Sequence, residues 1–203
     1  YVTAHSMPAD EVLTDLATET LRLGAQADMQ IAPEEGAFLT VMARLVGARS
    51  AVEVGTFTGY SSICIARGLQ DGGRLLCCDV SEEWTAVARR YWERAGLDGC
   101  VDLVVAPAIE TLRALPRDST IDLAFIDADK VGYLGYWEEL VPRMRTGGVL
   151  LVDNVLRGGT VVDAEVDEAT AAMRDFNAHV VKDVRVDVVM LPLADGVTVA
   201  VRR

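Results

Sequence analysis

The chain has 203 residues, 51% of them hydrophobic and 25% charged, and a formal net charge of −12. That length suits one domain with a substantial core, and so acidic a surface works against a nucleic-acid partner, because a phosphate backbone meets a repulsive field. No apolar run approaches the roughly 20 residues of a membrane span, which argues against a membrane partner, and no secretory leader pattern is visible near Tyr1.

A cytoplasmic protein is therefore expected, and a start on Tyr1 in place of Met suggests that the numbering skips part of the chain. Cys64, Cys77, Cys78 and Cys100 show no C-x-x-C spacing, which favours free thiols in a reducing compartment. His5 and His179 have no ligand-like spacing, which weighs against a zinc or Ser-His-Asp site.

Apolar residues recur with helical period from Asp10 to Leu23, and Gly24 suits a C-cap. Pro33 suits the first turn of a second helix running to about Val46, with Glu34 and Glu35 favourable at its positive end. Phe38, Leu39, Met42 and Leu45 form its expected apolar face. These two helices precede the first strand, and residues 1–47 serve either as plain packing or as a cap over a site.

From Ala51 the pattern repeats: short apolar strand, turn, helix. Strands are expected at Ala51–Val54, Arg74–Cys78, Val101–Val105, Ile121–Ile126 and Gly148–Val152. Helices follow at Gly59–Leu69, Glu82–Ala95, Pro107–Leu115, Gly132–Val141 and Glu165–Val180. Such alternation predicts an α/β fold with a parallel sheet covered on both faces. Val184–Leu191, the turn Asp195-Gly196 and Val197–Val201 predict a closing antiparallel hairpin.

Two strand ends carry the chemistry. Leu123-Ala124-Phe125-Ile126 runs into Asp127, Asp129 and Lys130, and Val149-Leu150-Leu151-Val152 runs into Asp153-Asn154. Open parallel sheets place ligands at the carboxyl ends of their strands. Asp127, Asp153 and Asn154 together offer hard oxygen donors for a divalent cation, although each alone could be a solvated loop acid or a helix cap. Lys130 either pairs with Asp127 or Asp129 or, beside a bound cation whose like charge eases loss of its proton, acts as a base.

The first strand ends in Gly55-Thr56-Phe57-Thr58-Gly59-Tyr60-Ser61, a turn whose glycines permit close approach of a ligand. The following helix start could receive a carboxylate. Asp79 ends the second strand, where an acid can accept from ribose hydroxyls; it could equally be a helix N-cap, a role for which Ser81 competes. With small Ala106-Pro107-Ala108 after the third strand, these features point to an adenosine-type cofactor.

The set formed by Met29-Gln30-Ile31, Glu53 to Ser61, Phe125-Ile126-Asp127-Ala128-Asp129-Lys130, Asp153-Asn154 and Leu191 to Thr198 resembles the cation-dependent O-methyltransferases. That family includes catechol and caffeoyl-coenzyme A O-methyltransferases, and the resemblance covers nearly the whole chain. It implies a Rossmann-like, seven-stranded, mostly parallel sheet with a reversed final hairpin. It also implies S-adenosylmethionine as methyl donor, a divalent cation (Mg2+, or Mn2+ or Ca2+), an aromatic hydroxyl acceptor and a homodimer. By the same resemblance Asp127, Asp153 and Asn154 match the metal ligands and Lys130 the catalytic lysine. Ile31, Glu53, Gly55, Thr56, Ser61, Asp79, Ala108 and Asp127 match cofactor contacts. Val155-Leu156-Arg157-Gly158-Gly159 departs from many relatives, which place an aromatic or larger polar residue in this stretch of the acceptor pocket. Two other readings remain: an NAD-linked oxidoreductase on a related sheet, against which the missing G-x-G-x-x-G counts, and a cofactor-binding scaffold without turnover.

Overall fold

The computed structural model describes every residue except Ser119. Its described residues form one sheet of seven strands: β1 (Ser50–Val54), β2 (Arg74–Asp79), β3 (Val101–Val105), β4 (Ile121–Ile126), β5 (Met144–Val152), β6 (Val186–Leu191) and β7 (Val197–Arg202). They lie in the order β3-β2-β1-β4-β5-β7-β6. The first five are mutually parallel, and β7 runs antiparallel to both β5 and β6. Strand order reverses beside β1, where a crevice opens at the strands' carboxyl ends.

The helices are α1 (Glu11–Thr20), α2 (Pro33–Leu45), α3 (Tyr60–Ala66), α4 (Glu82–Arg94), α5 (Ala108–Ala114), α6 (Tyr133–Leu140) and α7 (Glu168–Val180). The two-residue period of the strands divides the core between both faces of the sheet. Ala51, Leu123, Phe125, Val149 and Leu151 pack with residues of α1 to α4. Val52, Val54, Ala124, Ile126, Leu150 and Val152 pack with those of α5 to α7. Fully burying each large side chain in these layers contributes about 1.5–3 kcal/mol. Among the described residues no helix is long and apolar enough to cross a membrane, and all four cysteines are free.

Several expectations change in detail; α3 ends at Ala66 in place of Leu69, and α7 starts at Glu168 in place of Glu165. The first α-helix ends at Thr20, and the chain continues as 3-10 turns over Leu21–Met29, interrupted at Gly24 with φ 66°. The buried face of α2 is wider than expected: Leu39 is buried and Phe38 and Met42 pack against the core, but Glu35, Gly36, Thr40 and Ala43 also face inward, while Leu45 is exposed. Small residues win that face because α2 lies so close to α3 that a Cβ on Gly36 would meet Cys64 Sγ at 2.8 Å and Tyr60 at 2.9 Å. Strand β5 also starts earlier than expected, at Met144, with its pairing to β4 shifted between Ile121 and Leu123.

Register sets the site. Val54 pairs with Ile126, and Ile126 with Val152, so Gly55, Asp127 and Asp153 emerge side by side one residue later. Asp127 N donates to Val54 O at 2.8 Å, and Asp153 N to Ile126 O at 3.0 Å. Gly55, at φ 92°, approaches so closely that a Cβ there would stand 2.0 Å from Asp127 O. Only glycine fits.

Candidate active site

One cavity of about 820 Å³ opens over these strand ends, at the large end of the range for small-molecule sites. Ile31, Gly55, Thr56, Ser61, Asp79, Ala108, Asp127, Lys130, Asp153 and Asn154 all line it. Glu53 does not: it lies fully buried behind the turn, on the α1–α4 face where strand alternation otherwise places apolar residues. Burial pushes its carboxyl up to about 7, with Ser61, Cys77 and Thr56 close enough to offset part of the rise. None of them reaches hydrogen-bond geometry with either oxygen.

At one end of the cavity, Asp79 Oδ2 accepts from Thr56 N at 2.9 Å and Phe57 N at 2.8 Å, and Oδ1 accepts from Ser81 N at 2.8 Å. Asp79 is thus the clasp of the glycine turn, while Ser81 caps α4 by accepting from Trp84 N at 3.2 Å. A carboxylate has about four acceptor positions, so Asp79 keeps room for a ligand hydroxyl. Phe57 and Trp84, packed edge to face at 5.1 Å, wall this end together with Pro107 and Ala108.

At the other end the carboxylates crowd one another. Lys130 Nζ donates to Asp127 Oδ1 at 3.0 Å and to Tyr133 Oη at 2.7 Å. Asp153 is 3% exposed, and burial followed by repulsion from Asp127 raises its carboxyl above the usual range. Glu35 reaches in from α2, 1% exposed, and burial with the charges of Asp153 and Asp127 raises it further still. Its Oε1 has no hydrogen-bond partner. Asn154 adopts a left-handed backbone at φ 57°, a region asparagine tolerates better than most residues, and its N–H is capped by Asp153 Oδ1.

Glu35, on the cavity wall, and Tyr133, behind Lys130, belong to the candidate site, although Tyr133 is not among the residues expected from the sequence and Glu35 reads there as a helix-start acid. Glu35 follows Pro33 as an ordinary helix-start acid, and only the packing of α2 turns it inward. Tyr133 opens α6 and looks like core; it is fully buried against Phe176. A signal existed in its spacing, since three residues after Lys130 lies within reach on one helical turn. Asp129, by contrast, caps the turn at Lys130–Gly132 and accepts from Tyr136 Oη, which removes it as a partner for Lys130.

A sheet with a reversed last hairpin, a glycine turn clasped by an acid and a polar second half to the same cavity define a nucleotide-type cofactor site beside an acceptor site. Comparison with known proteins makes the class specific. A family described as O-methyltransferase matches residues 3–203. A probable caffeoyl-CoA O-methyltransferase 1 of Dictyostelium discoideum is 35% identical, over 100% of this chain and 90% of its own length. The mouse catechol O-methyltransferase domain-containing protein 1 is also 35% identical, over 98% of this chain and 78% of its own length. An O-methyltransferase from Bacillus cereus, solved in complex with SAH, superposes with a TM-score of 0.91 at 32% identity, covering 100% of this chain and 96% of that one.

The chain belongs to the O-methyltransferase family. It is an S-adenosylmethionine-dependent enzyme, which decides against the NAD-linked and scaffold readings.

Proposed function

We propose that the enzyme transfers the methyl group to a hydroxyl of a vicinal dihydroxy aromatic molecule and requires a divalent cation to do so. The observation that carries this reading is the meeting of Asp127, Lys130, Asp153 and Asn154 in the cavity that also holds the glycine turn and Asp79. The donor set fits a hard cation: every candidate ligand atom is an oxygen, Lys130 pairs with Asp127, and Asp153 and Glu35 are raised by burial and neighbouring acids, so a cation would stabilise their ionised forms. A relative named for catechol, the mouse protein above, supports the acceptor class.

Asp127, Asp153 and Asn154 would be the ligands of a bound Mg2+, which supplies the charge that lowers the pKa of an acceptor hydroxyl. Ile31, Gly55, Thr56, Ser61, Asp79 and Ala108 hold the methyl donor, with Asp79 free to accept from ribose. Glu53 acts from behind, beneath Thr56 and Ser61. Lys130, in its neutral form, would take the acceptor's proton on Nζ as the oxygen bonds to the methyl carbon and the carbon–sulfur bond breaks, its electron pair leaving with S-adenosylhomocysteine. Tyr133 Oη serves both states of that amine, accepting from the ammonium and donating to the neutral form. Residues 28–32 and Glu35 close the wall on the N-terminal side, which supports a capping role for residues 1–47. Alignment of the two reactants can supply roughly 7–11 kcal/mol of the barrier reduction.

A methyl-transfer screen of vicinal diphenols against monophenols, with Mg2+ or with excess EDTA, tests the reading. Turnover is expected for vicinal diphenols with Mg2+ only. Equal rates on monophenols, or full activity in EDTA, would remove chelation from the mechanism.

A further inference from the structure

Two cations lie on the cavity wall, Lys130 and Arg157. Lys130 is engaged by Asp127 and Tyr133. Arg157 is not engaged. Among the described residues its side chain makes no ion pair, although Arg67, Arg90, Arg143, Arg145 and Arg185 each hold a carboxylate. Its Nε is buried and has no hydrogen-bond partner, a standing cost until an acceptor arrives.

The backbone beneath Arg157 is fixed. It adopts φ 51°, in the left-handed region, and is followed by Gly158 at 62° and Gly159 at 89°. Arg157 N donates to Asn154 O at 3.2 Å, Thr160 Oγ1 donates to Arg157 O at 2.7 Å, and Gly158 N is held by Asp195. Arg157 lines the cavity at its acidic end, three residues after Asn154 and bonded to it through the backbone. Asp167, the exposed N-cap of α7 that accepts from Thr170 N at 2.7 Å, is near enough for Arg157 to help lower its carboxyl, but the two form no ion pair.

We propose that Arg157 is a specificity-determining residue whose guanidinium receives a carboxylate carried on the acceptor's ring or on a short side chain. This rests on the reading of the site as a methyltransferase of vicinal diphenols. The planar fork of arginine matches a carboxylate in two parallel hydrogen bonds. Lys130 is taken up by Asp127 and Tyr133, and among the described residues of that wall Arg157 is the cation left with no carboxylate of the chain to hold, so it is the group available to an acid on the acceptor. The acceptor is then a dihydroxybenzoate- or hydroxycinnamate-like acid, bound at two points: the adjacent oxygens at the strand ends and the acid at Arg157.

The test is steady-state methyl transfer from S-adenosylmethionine with Mg2+, comparing 3,4-dihydroxybenzoate with its methyl ester, a near-isostere without charge. The wild type is expected to favour the acid by about tenfold in kcat/KM, the effect of one charge-assisted pair. In Arg157→Gln that preference should vanish, chiefly through KM for the acid, and Arg157→Lys, which keeps the charge but not the fork, should restore only part of it. SAH affinity, read by calorimetry, shows whether each variant keeps its fold. No preference in the wild type, or an equal fall on both acceptors in Arg157→Gln, would overturn the assignment and leave the underlying chemistry standing. Methylation of neither acceptor by the wild type would sink both.

Discussion

Two acidic clusters in this molecule look alike in composition and behave in opposite ways. Glu138, His179 and Asp183 have ligand atoms within 4.8 Å of one another, the arrangement of a metal site. Yet Arg185 already fills it, with Nη2 at 2.8 Å from Glu138 and 2.6 Å from Asp183. Hydrogen bonds from Arg185, with a further one from Trp137 Nε1, hold the Asp183 carboxyl well below its usual range. Over the strand ends, burial instead raises both Asp153 and Glu35, with the charge of Asp127 adding to the rise of Asp153 and those of Asp153 and Asp127 to that of Glu35. The distance between acids does not mark a functional site here. What marks it is carboxyls that the chain buries without enough positive charge of its own to keep them ionised.

The sharpest way to break this contrast is at the lysine. Lys130→Ala should lower kcat by about 10²–10⁴-fold, the usual worth of a positioned base, while SAH affinity measured by calorimetry stays unchanged. Wild-type turnover would make Lys130 a mere counter-ion of Asp127. Glu35→Gln is the next largest effect. It removes a neighbour of the proposed ligands, and Mn2+ affinity should fall by about 10–100-fold.

The same substitution carries a pH signature. Because the folded state raises Glu35 and Asp153, it binds more protons than the unfolded chain between the ordinary and the raised values. Their contribution to stability is therefore fully present below the ordinary carboxylate range and is lost as pH rises through the raised values. Without added cation, Tm should fall as pH climbs through neutrality, and the slope should flatten in Glu35→Gln. An identical slope in both proteins would show that Glu35 is not part of the crowded cluster. The smallest effect on function belongs to the other cluster: Arg185→Ala should cost about 1–3 kcal/mol of stability in denaturant titration with no change in kcat.

Much of this was legible in the sequence because it is local. The strand ends at Asp127 and Asp153-Asn154, the glycine turn and the hairpin at Asp195-Gly196 are each written in a few adjacent residues. Parallel register then brings them together without further instruction. What stayed hidden depends on packing between distant segments. Glu35 enters because Gly36 lets α2 sink against Tyr60 and Cys64, which no helical period discloses. Asp79 reads as a cap or a ribose ligand, and its bonds to Thr56 N and Phe57 N follow only from β1 lying beside β2. Arg157 looks like a loop cation in the sequence, and only the fold shows its Nε buried without a partner on the cavity wall.

Calorimetric titration of Mn2+ into the wild type, Asp153→Ala and Glu138→Ala tests the central contrast most directly. The account predicts one ion per chain in the wild type, none in Asp153→Ala and an undiminished site in Glu138→Ala. Binding that survives in Asp153→Ala, or that disappears in Glu138→Ala, would contradict it.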